Sequence, residues 1–225
     1  MRRGRHRLFV LCVSLVALTA ARAGVAGLLQ VLVVDDAGKP VANAVVYAGP
    51  RGGKAPAPTP PTERLVMDQR DKEFVPYVLP VRVGTPVYFP NSDNIRHHVY
   101  SFSMAKTFEL PLYQGTPAAP VMFDKPGAVA LGCNIHDWMV GYIYVVDTPW
   151  FATTGDDGNA RLTPPAGEYE LRAWHPRLKG SADATRRPVA VGVNNDTHVE
   201  FRIALNPDRR KPRPASHEHD DHYNY

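Results

Sequence analysis

Helical periodicity is scarce in this chain, and short runs of alternating apolar and polar residues, each closed by Gly, Pro, Asn or Asp, dominate it. That punctuation dictates an all-β fold, because side chains along a strand alternate between two faces and turns must follow within a few residues. LLQVLVV (28–34) runs into the turn DDAGKP, and VANAVVY (41–47) resumes the strand pattern. RGGKAPAPTPPT (51–62) is too rich in Pro and Gly for a core segment and reads as a linker or exposed loop. In VLPVRVGTPVYF, Leu79, Val81 and Val83 are in phase, and Val87 and Phe89 follow a Gly-Thr-Pro break. GAVALGC places Val129, Leu131 and Cys133 on one strand face, so a core-facing Val129 and Leu131 bring Cys133 inward with them. YIYVVD supplies another strand, for at least six in all.

Past Pro149 the style changes to an Asp-Gly turn, a short strand, a Pro-Pro-Ala-Gly turn and a strand from Glu168 to Trp174. These features resemble the closing half of a carboxypeptidase regulatory-like (transthyretin-like) β-sandwich, and VLVVDDAGKPVANAVVY (31–47) resembles its opening half. The resemblance implies a sandwich split into 25–50 and 150–205, with a second β domain at about 62–148 inserted between the halves. The alternative is that 28–47 merely lends strands to the central domain.

The first residues, MRRGRHRLFVLCVSLVALTAARAG, have a basic start, an apolar run and a small-x-small site at Ala21-Arg22-Ala23. This is the layout of a secretory signal peptide over 1–23, with an uncleaved membrane anchor as the other reading. Cleavage removes five arginines, so that 21 basic residues face 22 acidic ones and the net charge falls from +4 to −1. The basic pI near 9.1 thus belongs largely to the leader, which argues against nucleic acid as a partner. About 202 residues remain, enough for one or two modest domains, and none of their runs is long and apolar enough to span a bilayer. The expected destination is the periplasm or another exported location. The tail, 206–225, lacks apolar periodicity and reads as disordered. Its His217, His219 and His222 lie among acids and could bind Cu(II) or Zn(II) loosely, or simply be solvated.

Cys12 leaves with the leader, which makes Cys133 the one thiol of the mature chain. Oxidising compartments favour pairing, so a single thiol there is either a small buried hydrophobe or a thiolate committed to a metal. GCNIHDWM adds His136 and Met139 at C-x2-H-x2-M spacing, which brings thiolate, imidazole and thioether onto one short loop. Soft sulfur ligands select copper, and two histidines with a cysteine and a weak axial methionine make a blue-copper electron-transfer site. Zinc also accepts Cys and His, but the methionine favours copper. A second histidine is needed from elsewhere, and FPNSDNIRHHVYSF (89–102) offers His97 and His98.

Here the sequence is similar to a known family. VRVGTPVYFPNSDNIRHHVYSF resembles the cupredoxin pattern of a strand, an Asn-containing loop and a histidine entering the next strand, and GCNIHDWM resembles the cupredoxin ligand loop in its amicyanin-like short form. His97 and Cys133 stand 36 residues apart, and the resemblance covers about 62–148, most closely to plastocyanin/amicyanin-type proteins and methylamine utilisation protein-like chains. It implies a Greek-key β-sandwich holding one copper ion on His97, Cys133, His136 and Met139, with His136 near the surface as electron exit. The family pattern favours His97 over His98 as the ligand. His98 then stands where the family has the asparagine that ties the two ligand loops together. Strand phase does not separate the pair, since His98, Tyr100 and Phe102 also share a face. Backbone N–H groups near the sulfur, from His98 and the Cys133 loop, are expected to tune the potential. Trp138, Val140 and Tyr113 are candidates for a docking surface, or for ordinary packing.

These residues imply a carrier of single electrons between redox partner proteins rather than an enzyme. His175 and His198 read as structural, one cysteine is too few for a dinuclear copper centre, and no paired carboxylates accompany a base or nucleophile. Two other classes fit the same residues: a periplasmic protein that stores or delivers copper, and a cell-envelope binding module with a vestigial site.

Overall fold

The structure, a computed structural model, describes residues 27–57, 64–117, 119–193 and 195–208. The leader expected at 1–23 and the tail from 209 onward lie outside the described residues, as does part of the 51–62 loop. Among the described residues every regular element is a β-strand except one 3-10 turn at Ala182–Thr185. The chain opens with β1 (Leu29–Val34) and β2 (Val45–Pro50). The central run is β3 (Leu65–Val66), β4 (Asp68–Arg70), β5 (Glu73–Val75), β6 (Val78–Arg82), β7 (Thr85–Tyr88) and β8 (His97–Ser103). It continues through β9 (Lys106–Tyr113), β10 (Val121–Phe123), β11 (Gly127–Gly132) and β12 (Val140–Val146). The closing run is β13 (Phe151–Thr153), β14 (Asn159–Leu162), β15 (Gly167–Trp174), β16 (Arg187–Val191) and β17 (Thr197–Arg202).

Strand pairing joins the two ends of the chain. β1 lies between β14, antiparallel, and β17, parallel, while β2 lies between β13 and β15, with β16 beyond β15. The inward faces of these two sheets meet in one core, which includes Leu29, Val31, Val33, Val46, Leu171, Val191 and Phe201. The central run forms a five-stranded sheet in the order β6-β12-β11-β8-β9 and a three-stranded sheet in the order β10-β7-β3. Val81, Val99, Val129, Leu131 and Ile143 from the first sheet pack against Val87 and Phe123 from the second.

Two strands are buried on both faces, as their unbroken apolar sequences require. Along β2, Val46 and Ala48 enter the first core while Val45 and Tyr47 face the other way. Along β12, Ile143 and Val145 enter the second core while Tyr144 and Val146 turn outward from it. The leftover faces meet each other. Tyr144 stacks on Trp174 with ring centroids 4.3 Å apart, and its hydroxyl lies 3.1 Å from that of Tyr47. A third apolar cluster, containing Val45, Tyr47, Val78, Tyr144 and Val146, therefore welds the end strands to the central ones.

Two local details depart from the sequence pattern. VANAVVY is a strand only from Val45, because Asn43 takes a left-handed conformation (φ 60°) and Thr154 Oγ1 accepts from Ala44 N–H and donates to the Val41 carbonyl. The preceding DDAGKP turn forms as its residues dictate, with Asp35 Oδ1 accepting from the N–H groups of Ala37 and Lys39. The β4–β5 hairpin, which the alternation rule did not mark, turns at Asp71 and Lys72, both left-handed (φ 55° and 59°).

Candidate metal centre

β11 delivers the cysteine. Val129, Leu131 and Cys133 are buried on the core side, whereas Ala128 and Ala130 are exposed, as alternation demands. The loop that follows is closed by a hydrogen bond from Met139 N–H to the His136 carbonyl, and β12 begins at Val140. β8 delivers the histidine. His97, Val99 and Ser101 face inward, while His98 and Tyr100 are half-buried on the opposite face and Phe102 is exposed. Of the adjacent pair, His97 is thus the one turned toward Cys133. A register shift in the β8–β9 ladder falls between His97 and Val99, a local irregularity of the kind strands use to re-aim a side chain.

One ligand atom from each of His97, Cys133 and His136 falls within 4.8 Å of the others, and His97 Nδ1 lies 3.9 Å from Cys133 Sγ. Two donors bonded to one ion at about 2.0–2.3 Å can stand no more than about 4.4 Å apart, so a small contraction lets a single ion bind all three. The His97 and His136 rings are 5.0 Å apart, and Trp138 covers His136 at the same centroid distance. Exposure is 0 % for His97, 4 % for Cys133, 7 % for His136 and 1 % for Met139. Met139 packs in the same core cluster as Cys133. His136 Nδ1 is buried without a hydrogen-bond partner, an orphan that a bound cation would satisfy. The donor set of thiolate, imidazole and nearby thioether fits copper.

Electrostatics prepare the sulfur. Burial pushes the Cys133 thiol up, but the neighbouring imidazoles of His136 and His97 and the backbone N–H groups of His98 and Ile135 favour the thiolate, outweigh burial and bring the pKa down to about 5. For His97 burial works against the charged ring, yet the bonds to Cys133 and Asp93 raise its pKa above the ordinary value. In the metal-free protein the ultraviolet absorbance of the thiolate is therefore expected to vanish as pH falls through about 5. Because the folded pKa is depressed, the thiolate's contribution to stability is fully present above the unfolded thiol's pKa and is lost progressively as pH falls from there to the folded value of about 5. A midpoint at the ordinary thiol value would contradict this arrangement.

The two segments that meet at the site are tied together. Asn134, next to the cysteine, donates from Nδ2 to His98 Nδ1 at 3.1 Å. The other nitrogen of His98 stands 3.0 Å from Glu109 Oε1, without the alignment of a hydrogen bond. Asn91 braces the upstream loop by donating to the carbonyls of Ile95 and Tyr113. The Tyr100 ring lies over Gly132, and a Cβ there would come within 2.6 Å of it and push the ring aside.

Of the docking candidates, Tyr113 turns its hydroxyl inward, donating to the Phe89 carbonyl and accepting from Gln69 Nε2. Burial moves that hydroxyl's pKa upward. Trp138 and Val140 are half-buried beside the site. His175 is buried with Nδ1 accepting from Arg177 N–H, and His198 is exposed on β17. The sequence reading also missed Asp93, whose Oδ2 lies 2.7 Å from His97 Nε2. Its one signal was an acid four residues before the histidine.

No protein-family model matches the chain, and no curated protein does. Among solved structures, amicyanin from Paracoccus versutus is 16 % identical, over 38 % of this chain and 84 % of that one, with a TM-score of 0.33. A purple cupredoxin from Nitrosopumilus maritimus is 22 % identical, over 37 % of this chain and 98 % of that one, with a TM-score of 0.32. A copper-containing nitrite reductase from Thermus scotoductus is 27 % identical, over 51 % of this chain but only 28 % of that one, with a TM-score of 0.35. The chain is all-β, and over rather more than a third of its length it is similar to cupredoxins.

Proposed function

We propose that this chain is an exported type 1 copper protein that carries single electrons between redox partner proteins, with His97, Cys133, His136 and Met139 as the ligands of one copper ion. One observation carries the reading: a low-pKa cysteine and two imidazoles, from separate segments, converge within 4.8 Å in a buried pocket. Copper bound there supplies a one-electron couple. The remaining work belongs to the chain. Cys133 offers its sulfur already deprotonated near neutral pH, and the N–H groups of His98 and Ile135 hold that charge in place. His97 stands at the first residue of β8, and His136 and Met139 sit on a loop closed between β11 and β12. Ligands fixed in this way move little when an electron arrives or leaves, which keeps the barrier low. All four side chains are buried, which favours a carrier over a centre that turns over a substrate. His136 is the most exposed of the four and lies beside exposed Ile135, so its ring edge is the proposed electron exit.

The test is repeated reduction and reoxidation of the copper-loaded protein in the presence of a strong copper chelator. A carrier keeps its copper through every cycle. Loss of the metal to the chelator on reduction would instead identify a protein that delivers copper.

A further inference from the structure

We infer that Asp93 is a positioning residue for the metal centre, a carboxylate clamp that fixes the ring of His97 and sets the balance between the two copper oxidation states. The inference rests on the copper-site reading above. Its basis is a hydrogen-bonded chain that starts in a hairpin outside the ligand loops. At the β4–β5 turn, Asp71 and Lys72 are both left-handed, so their successive N–H groups point the same way. Asp71 N–H donates to Asp93 Oδ1 at 2.6 Å, and Lys72 N–H donates to Oδ2 at 2.9 Å. Asp93 N–H in turn donates to Asn91 Oδ1 at 3.0 Å, which fixes the backbone beneath the carboxylate. Oδ2 also accepts from His97 Nε2 at 2.7 Å. His97 is fully buried, and the side chain of Asp93 is 12 % exposed.

Two consequences follow from the chemistry of this chain. The proton of His97 is held on Nε2, which leaves Nδ1, the nitrogen 3.9 Å from Cys133 Sγ, free as a ligand. A full negative charge on the far side of the ring also makes the imidazole more basic and favours the more positive ion. Both carboxylate oxygens are used as acceptors, so an amide cannot substitute: its NH2 would face either the Asp71 N–H or the Lys72 and His97 donors. The hairpin is thereby a part of the metal centre, although it contributes no ligand.

The experiment compares copper affinity, reduction potential and EPR spectrum in the wild type, Asp93→Asn and Asp93→Glu. In Asp93→Asn, binding of Cu(II) weakens about tenfold relative to Cu(I), which raises the potential by about 59 mV. Asp93→Glu recovers part of that shift, because the charge returns at a different reach. An unchanged potential and spectrum in Asp93→Asn, with a blue wild type, would overturn the clamp and leave the copper reading intact. A wild type that binds no copper would overturn both. If Asp93→Asn fails to fold, the Asp93→Glu potential decides: a shift from wild type supports the clamp, and identity with wild type removes it.

Discussion

Cys133→Ser is expected to yield a folded protein that has lost its tight copper site. The replacement is nearly the same size, and its buried hydroxyl still meets the N–H groups that now face the sulfur, those of His98 and Ile135. What disappears is the anionic, polarisable donor. A hydroxyl at that position stays protonated and hard, so the copper preference of the set goes with the thiolate. Loss of one partner hydrogen-bonded behind a ligand costs about 10–100-fold in metal affinity, and loss of the ligand itself should exceed that range. Competition against a chelator of known affinity measures the difference. Retention of wild-type affinity by the serine variant would mean that copper binds elsewhere on the chain.

The second large effect concerns the fold that holds the site. Phe123 and Phe201 are almost fully buried, one in each sandwich core. Phe123 packs against Phe89 and Phe108, with ring centroids 6.5 Å and 6.1 Å away. Truncating either to alanine should cost about 3–5 kcal/mol, from lost burial plus the cavity that remains. The two cores share a seam, where Tyr144 stacks on Trp174 and Val45 and Tyr47 pack against β12. We therefore expect urea unfolding of the metal-free protein to be a single transition that both substitutions shift to lower denaturant. Two transitions, each moved by only one of the variants, would show that the seam does not couple the cores.

How much of this was legible in the sequence depended on how far each feature reached along the chain. The inward aim of Cys133 followed from its spacing to Val129 and Leu131, because alternation is a local rule. C-x2-H-x2-M likewise put three donors on one loop, and the structure keeps them there. The choice between His97 and His98 was not local. Val99 with Ser101 and Tyr100 with Phe102 offered two plausible inward rows, and only the pairing of β8 with β11 and β9 decided between them. Sequence cast doubt on the tie between ligand loops because His98 replaced the expected asparagine. The tie exists through Asn134, across 36 residues, and no pattern in either segment announces it. Asp93 was invisible for a similar reason. Its role depends on a left-handed turn at Asp71 and Lys72, 21 or 22 residues upstream, in a stretch of short strands with weak alternation.

The central claim is that Cys133 gives a thiolate to a buried copper ion beside two histidines, and one measurement reads that bond directly. It is the visible and EPR spectrum of the wild-type protein loaded with one equivalent of Cu(II). An intense thiolate-to-copper charge-transfer band together with narrow copper hyperfine splitting is the predicted result. A colourless protein, with only the wide hyperfine pattern of copper held by nitrogen and oxygen, would contradict it.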